Sequence, residues 1–244
     1  MDIQVIDTAK NKLKDRYNEA SKQGIIMEPN TSTIIIGSSG SGKTNLLTNI
    51  LSRPEFLGGQ FEQIYCISLT GDTDDVMKHL NIPKENLFTD IKKGIKHMEK
   101  IFKIQKTLIK HLDEDKAPLI CLIYDDCISE RDLLKSKFFL QSFVMSRHYN
   151  CSTFILSQNF KSVPVAARNQ CQNIIWFQNN QSENEKLAET HTPSQYTKKE
   201  FLKMINDATR EPYSFLYINK KRPMNERYRI KFDKIMKLDR LNNK

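Results

Sequence analysis

Long apolar runs are missing from this 244-residue chain. No stretch approaches the roughly 18 to 20 apolar residues that a membrane-spanning helix requires, so no membrane partner is expected. The amino-terminal MDIQVIDTAKNKLKDRYNEA is polar and charged throughout and has no hydrophobic h-region, which argues against secretion. Cysteine is present without a pattern. Cys66, Cys121, Cys127, Cys151 and Cys171 are odd in number, and none forms a C-x-x-C pair. Four of them lie in or beside apolar strand-like runs, which reads as buried free thiols in a reducing compartment. His79, His97, His111, His148 and His191 are scattered, without the clustered spacing of a zinc site. Internal repeats and low-complexity linkers are absent as well. The length suits one domain of generous size with a proper core.

What the chain does have is an excess of basic residues, with a formal net charge of +9. This permits a polyanionic partner without demanding one. It also has a regular alternation of strand-like and helix-like segments. A polar helix is expected over 8–23, broken by Met27-Glu28-Pro29-Asn30, and a buried strand over 33–36. A helix begins at Lys43, and a second strand runs over 63–69, followed by the acidic turn TGDTDD. A long helix is expected over 91–112, where Ile91, Ile95, Met98, Phe102, Ile109 and Leu112 keep helical spacing. LICLIY at 119–124 is a third strand, apolar on both faces. It leads to a helix with Ser129 and Asp132 as its capping box. Strands over 153–156 and 173–177 follow, then helices over 183–190 and 196–208. The tail YSFLYINKKRPMNERYRIKF reads as two strands joined by a basic turn. Strands alternating with helices imply an α/β fold: a mainly parallel central sheet flanked by helices, here with a C-terminal β-hairpin. Residues 1–30 are expected to form an N-terminal helical extension, and 31–244 the main domain.

The chemistry begins at Gly37-Ser38-Ser39-Gly40-Ser41-Gly42-Lys43-Thr44, which matches G-x-x-x-x-G-K-S/T in full. A strand precedes it and a helix follows, the context this phosphate loop requires. Small residues let the backbone fold closely around a phosphate chain, with N–H groups pointing inward and a helix N-terminus adding its dipole. Lys43 is expected on the β- and γ-phosphates and Thr44 on Mg2+, so ATP and Mg2+ are the expected cofactors. No N-K-x-D-like segment is present to read guanine.

A triphosphate site also needs carboxylates. Asp125 and Asp126 end the third strand. Asp125 is expected to orient Mg2+ and Asp126 to polarise the attacking water as general base, which favours hydrolysis over transfer. Gln158 ends the fourth strand, at the sheet edge where ligands bind, and suits a sensor of the γ-phosphate. Arg147, near the end of the preceding helix, is a candidate finger reaching a neighbouring subunit's γ-phosphate, with Arg168 as its competitor.

The set GSSGSGKT, LIYDD, RHYNCSTFILSQN and VPVAARNQCQNIIWF resembles the genome-packaging ATPases of large DNA viruses, virophages and Polinton-like elements, within the FtsK–HerA group of P-loop ATPases. The resemblance covers roughly 30–180. It implies a RecA-like (ASCE) P-loop NTPase core, ring assembly as a pentamer or hexamer, and ATP-driven movement of double-stranded DNA into a preformed capsid. The implied partners are DNA, further copies of the chain, and a capsid or portal vertex. The implied location is the host cytoplasm, a viral factory or the virion. Its functional positions fall on Lys43, Thr44, Asp125, Asp126 and Gln158, with Arg147 as the finger. The second acid is Asp126, where many members have Glu.

A motor should grip phosphates rather than base edges. Three basic groups qualify: Lys92, Lys96, Lys100, Lys103 and Lys110 on the long helix; Lys220-Lys221-Arg222 with Arg227 and Arg229; and Lys161 with Arg168. The alternatives are a helicase or DNA pump of the same group acting in replication or transfer, and a low-turnover nucleotide-binding scaffold at the capsid vertex.

Overall fold

The computed structural model describes residues 12–71, 78–112 and 115–236. After a 3-10 turn at Lys12–Arg16, the elements in chain order are α1 (Glu19–Lys22), β1 (Ser32–Ile36), α2 (Lys43–Ser52), β2 (Gln63–Ser68), β3 (Leu87–Phe88), α3 (Ile91–Leu112), β4 (Ile120–Asp125), α4 (Arg131–Lys135), α5 (Lys137–Val144), β5 (Cys151–Ser157), α6 (Val165–Gln170), β6 (Asn173–Phe177), α7 (Gln181–His191), α8 (Lys198–Ala208), β7 (Phe215–Asn219), β8 (Tyr228–Ile230) and β9 (Lys234–Ile235).

The nine strands form one sheet in the order β3-β2-β4-β5-β1-β6-β7-β8-β9. The pairings from β3 through β6 are parallel, and those from β6 through β9 antiparallel. This is the expected α/β architecture with antiparallel strands at its C-terminal side. The central strands are buried throughout, as a sheet covered on both faces requires. Alternate side chains enter different cores: Ile34, Ile36, Leu122, Tyr124 and Ile155 lie on one face, and Ile35, Ile123, Phe154 and Leu156 on the other. The first face is covered by α3, α5, α7 and α8, whose Met98, Phe139, Leu187 and Phe201 join its cluster. Leu47 and Ile50 of α2, with Ile26 and Met27, cover the second. All five cysteines are buried and unpaired with one another.

Two expectations are corrected. The single helix over 8–23 is, within the described residues, a 3-10 turn and one α-turn. The Asn18 side chain accepts the Ser21 N–H at 2.9 Å and starts a new helix, as Asn favours at an N-cap. Leu13 and Tyr17 pack on Leu119. The capping box at Ser129 and Asp132 does not form. The chain leaves β4 through a left-handed Asp126 and a turn in which Glu130 N–H donates to Cys127 C=O, so α4 begins only at Arg131, without a side-chain cap. Ser136 interrupts that helix and caps α5 instead by accepting the Phe139 N–H. The short edge strand β3 is not signalled by any periodicity. The acidic turn falls mostly on 72–77, outside the described residues.

Candidate active site

Where β1 ends, the chain turns through Gly37–Gly42 into α2. A β-carbon on Gly37 would lie 2.4 Å from Ser41 Oγ and 2.8 Å from Phe177 Cβ, so the loop closes only around a glycine. Gly42 has φ 99°, a region that L side chains rarely adopt, and no side chain caps α2 behind it. The first N–H groups of α2 therefore face the space above the loop without a protein side chain on them. Lys43 is buried, and its ammonium donates to the carbonyls of Gly37 at 2.9 Å and Ser38 at 3.1 Å. Burial pulls the Lys43 pKa below its ordinary value, and the carboxylates of Asp126 and then Asp125 oppose that shift. Both acids thus act on the lysine of the loop.

The strand ends hold this arrangement. Gly37 N–H donates to Ser157 C=O at 3.3 Å, tying the loop to the end of β5. Asp126 N–H donates to Leu156 C=O at 3.1 Å, tying the acidic pair to the same strand. Asp125 is 4% exposed, and Ser68 Oγ donates to its Oδ2 at 2.9 Å. Ser68 ends β2 and stands directly opposite Asp125 in the parallel ladder. Asp126 is exposed in a left-handed conformation with φ 45°, and Gln158 Nε2 donates to its Oδ2 at 3.4 Å. A non-glycine residue with positive φ is uncommon, and here it turns two successive carboxylates to different tasks. Asp125 is held down against Ser68, while Asp126 stands out beside Gln158.

The structure therefore brings together the loop Gly37–Thr44, Asp125, Asp126 and Gln158. It does not bring Arg147 to them. Arg147 lies in a 3-10 turn at Ser146–Tyr149, before β5 begins. Its neighbour Ser146 contacts Ser32, the first residue of β1, with 3.3 Å between the hydroxyl oxygens. Arg147 is exposed at the opposite sheet edge, about a strand length, roughly 20 Å, from the loop. Arg168 is folded into its own chain. Its guanidinium carbon lies 4.6 Å from the centre of the Phe160 ring, and burial lowers its pKa while Glu183 opposes the shift.

The basic groups also separate. On α3, Lys96, Lys100 and Lys110 are exposed, while Lys92 pairs with Asp132 at 3.7 Å and Lys103 with Glu99 at 3.3 Å. The tail cluster is engaged internally: Lys221 pairs with Glu28 at 2.7 Å, Arg222 pairs with Glu226, and Arg227 donates to the carbonyls of Lys220 and Arg222. Arg229 is buried and donates to Phe232 C=O.

Two contributors escaped the sequence. Ser68 is an ordinary strand-end serine until the β2–β4 register sets it against Asp125. Glu183 is 3% exposed and accepts the Phe160 N–H at 2.9 Å while pairing with Lys186, so it anchors the segment just after Gln158. A buried glutamate opening a surface-patterned helix leaves no one-dimensional trace.

Among the described residues, no helix is long and apolar enough to cross a membrane. The family described as Poxvirus A32 protein matches residues 22–239, which include the phosphate loop, the acidic pair and all nine strands. The uncharacterized protein 075L of Invertebrate iridescent virus 6 is 24% identical over 187 residues, covering 76% of this chain and 69% of that protein. Among solved structures, B204, the DNA-packaging ATPase from Sulfolobus Turreted Icosahedral Virus, superposes with a TM-score of 0.58 at 16% identity, covering 83% of this chain and 97% of that one. The genome packaging NTPase B204 from Sulfolobus turreted icosahedral virus 2, in complex with AMP, gives a TM-score of 0.58 at 15% identity, covering 84% and 98%. At these identities the structural likeness establishes the fold, the RecA-like P-loop architecture.

Proposed function

This chain belongs to the poxvirus A32 protein family, and from that premise we propose that it is an ATP-driven translocase that packages double-stranded viral DNA into a preformed capsid. One observation carries the reading: the Lys43 ammonium, the Asp125 and Asp126 carboxylates and the Gln158 amide gather at the ends of β1, β4 and β5, beside the loop. That the structurally similar B204 was solved with AMP, and is described as a genome packaging NTPase, supports a nucleotide in this loop.

The roles follow from the chemistry of each group. Backbone N–H groups from Gly37 to Thr44 hold the phosphate chain, and Lys43 exchanges its carbonyl partners for β- and γ-phosphate oxygens. The Thr44 hydroxyl and the Asp125 carboxylate are hard oxygen donors, the set that Mg2+ takes. The Ser68 hydroxyl on Asp125 Oδ2 fixes the carboxylate that would join the metal's shell. Held there by Thr44 and Asp125, Mg2+ would supply neutralisation of charge on the phosphate oxygens. Asp126 takes a proton from a water held against Gln158. The water oxygen attacks the γ-phosphorus, the bridging P–O bond breaks, and ADP and phosphate leave. Gln158 then couples the site to the segment after β5.

The resemblance supports a ring, a pentamer or hexamer, and the placement of Arg147 away from its own site is compatible with its use by a neighbouring copy. DNA phosphates are the proposed load, with Lys96, Lys100 and Lys110 as exposed contacts. A capsid or portal vertex is the proposed dock, and the host cytoplasm, viral factory or virion the place of action. The test is steady-state ATPase activity of the full chain with and without linear double-stranded DNA, beside Asp126→Asn. Turnover should rise with DNA and with protein concentration and vanish in the variant. An Asp126→Asn chain that hydrolyses ATP at the wild-type rate would overturn the assignment.

A further inference from the structure

Helices α7 and α8 begin with the same pattern. Asn180 and Glu183 in α7, like Thr197 and Glu200 in α8, have the spacing of a capping box. In α8 the box forms: Thr197 Oγ1 accepts the Glu200 N–H at 3.2 Å, and the Glu200 carboxylate accepts the Thr197 N–H at 2.7 Å. In α7 the Asn180 side chain accepts the Glu183 N–H at 2.9 Å, but the carboxylate leaves its own helix. It accepts the N–H of Phe160, 23 positions earlier, at 2.9 Å. Glu183 is buried, Lys186 pairs with its other oxygen, and its charge also acts on Arg168. A buried carboxylate spent on one distant backbone N–H marks that N–H as a point to be held.

Phe160 stands two residues after Gln158. Its ring is fully buried and packs edge-on against Trp176, with centroids 5.5 Å apart. Trp176 Nε1 donates to Asn184 Oδ1 at 2.8 Å, which fastens the first turn of α7 to β6. Glu183 therefore grips Phe160 from a fixed mount. On the other side of Gln158, Ser157 is paired in the ladder with Ile36, and its C=O accepts the Gly37 N–H. Gln158 itself is exposed, and its 3.4 Å bond to Asp126 is a weak hold on the amide. The direction of its side chain is thus set by the backbone anchors on either side of it.

We propose that Glu183 is a positioning residue for hydrolysis: by holding the Phe160 N–H it fixes how Gln158 leaves β5, and so the reach of Gln158 to Asp126 and the attacking water. This rests on the roles proposed above for Gln158 and Asp126. A buried N–H stripped of its acceptor is costly, so loss of the carboxylate drives the turn at 158–160 to rearrange until that N–H is paired again. A misplacement of about 1 Å at a reacting group costs up to about 10²-fold in rate. Nucleotide binding rests on the loop at Gly37–Thr44, so KM for ATP should not follow.

The experiment is a double-mutant cycle on kcat for ATP hydrolysis by the full chain, with Glu183→Ala, Gln158→Ala and the pair, each rate divided by the ATP-binding sites counted in the same sample. Glu183→Ala should lower kcat about tenfold at unchanged KM. In the Gln158→Ala background it should cost nothing further, because the residue it positions is gone. Glu183→Gln keeps an acceptor oxygen for the Phe160 N–H and should recover most of the loss. Glu183→Asp keeps the charge beside Lys186 and Arg168 but is one methylene too short, so it should behave as Glu183→Ala does and serves in the cycle should the alanine variant not fold. Losses that multiply in the double variant, or an unchanged kcat in both Glu183→Ala and Glu183→Asp, would overturn the positioning role while leaving the site's function standing. A wild-type chain without turnover, or a Gln158→Ala chain as fast as wild type, would instead sink the reading of the site on which it rests.

Discussion

Gln158 at the end of β5 donates its side-chain amide to the Asp126 carboxylate at the end of β4, across 3.4 Å. The two residues stand 32 positions apart in sequence and meet only because β4 and β5 are parallel neighbours. The bond is long for a committed pair, which leaves both groups able to share a water.

Removing either partner should separate chemistry from binding. Asp126→Asn is expected to lower kcat by about 10²–10⁴-fold, the span of a general base, with ATP affinity retained. Gln158→Ala should lower kcat by roughly tenfold or more at little change in KM. Stopped-flow single-turnover measurements beside equilibrium ATP binding check both, and a rise in KM with unaltered kcat would refute the roles.

Arg147 stands at the sheet edge away from its own phosphate loop, so its effect should be felt only between chains. Arg147→Ala should reduce DNA-stimulated turnover by about 10³-fold if it acts as a finger in trans. Mixing Arg147→Ala with Lys43→Ala chains should recover activity, because a Lys43→Ala copy still offers its arginine to a neighbour with an intact loop. Absence of recovery in the mixture would count against a site shared between copies.

His191 predicts a pH dependence of stability. Burial, then the charges of Lys220 and Arg168, lower its pKa from 6.5 to about 4. Below pH 6.5 the unfolded chain binds a proton that the folded chain refuses until about pH 4, so stability falls as the pH drops through that window. At about 1.4 kcal/mol per pH unit, the loss is at most about 3 kcal/mol. Urea denaturation at pH 7 and pH 4.5 should show that His191→Gln removes much of the difference. Parallel losses in both proteins would refute it.

Gly94 in α3 should not tolerate the substitution that usually strengthens a helix. Alanine in place of an interior glycine gains about 1 kcal/mol from propensity. Here its β-carbon would lie 2.7 Å from Ile67 Cγ1 and 2.9 Å from Phe88 Cβ. Overpacking of this kind costs typically about 1–3 kcal/mol, so Gly94→Ala should bring no net gain and up to about 2 kcal/mol of destabilisation. A thermal melt that moves upward would show that α3 can lift off β2 at no cost.

Several features were fixed by local chemistry and could be read from residue order alone. Gly37–Thr44 must form a phosphate loop between strand and helix, because its glycines and its lysine are useful only in that setting. The runs at 33–36 and 119–124 are apolar at successive positions, which only a strand buried on both faces needs. The acids at 125 and 126 follow the second of these, so they fall at the edge where parallel strands end. Helix α3 keeps its bounds because its apolar stripe spans the whole element. Other features depend on which strand lies beside which, and residue order carries no register between distant segments. Ser68 becomes a partner of Asp125 only through the β2–β4 ladder, and Arg147 is far from its own loop because it precedes β5, whose opposite end meets that loop. The capping box at Ser129 failed because the left-handed turn at Asp126 moved the helix start, a backbone decision made by the site. Asn180 and Glu183 are spaced as a capping box, and only folding carries that carboxylate to Phe160 instead.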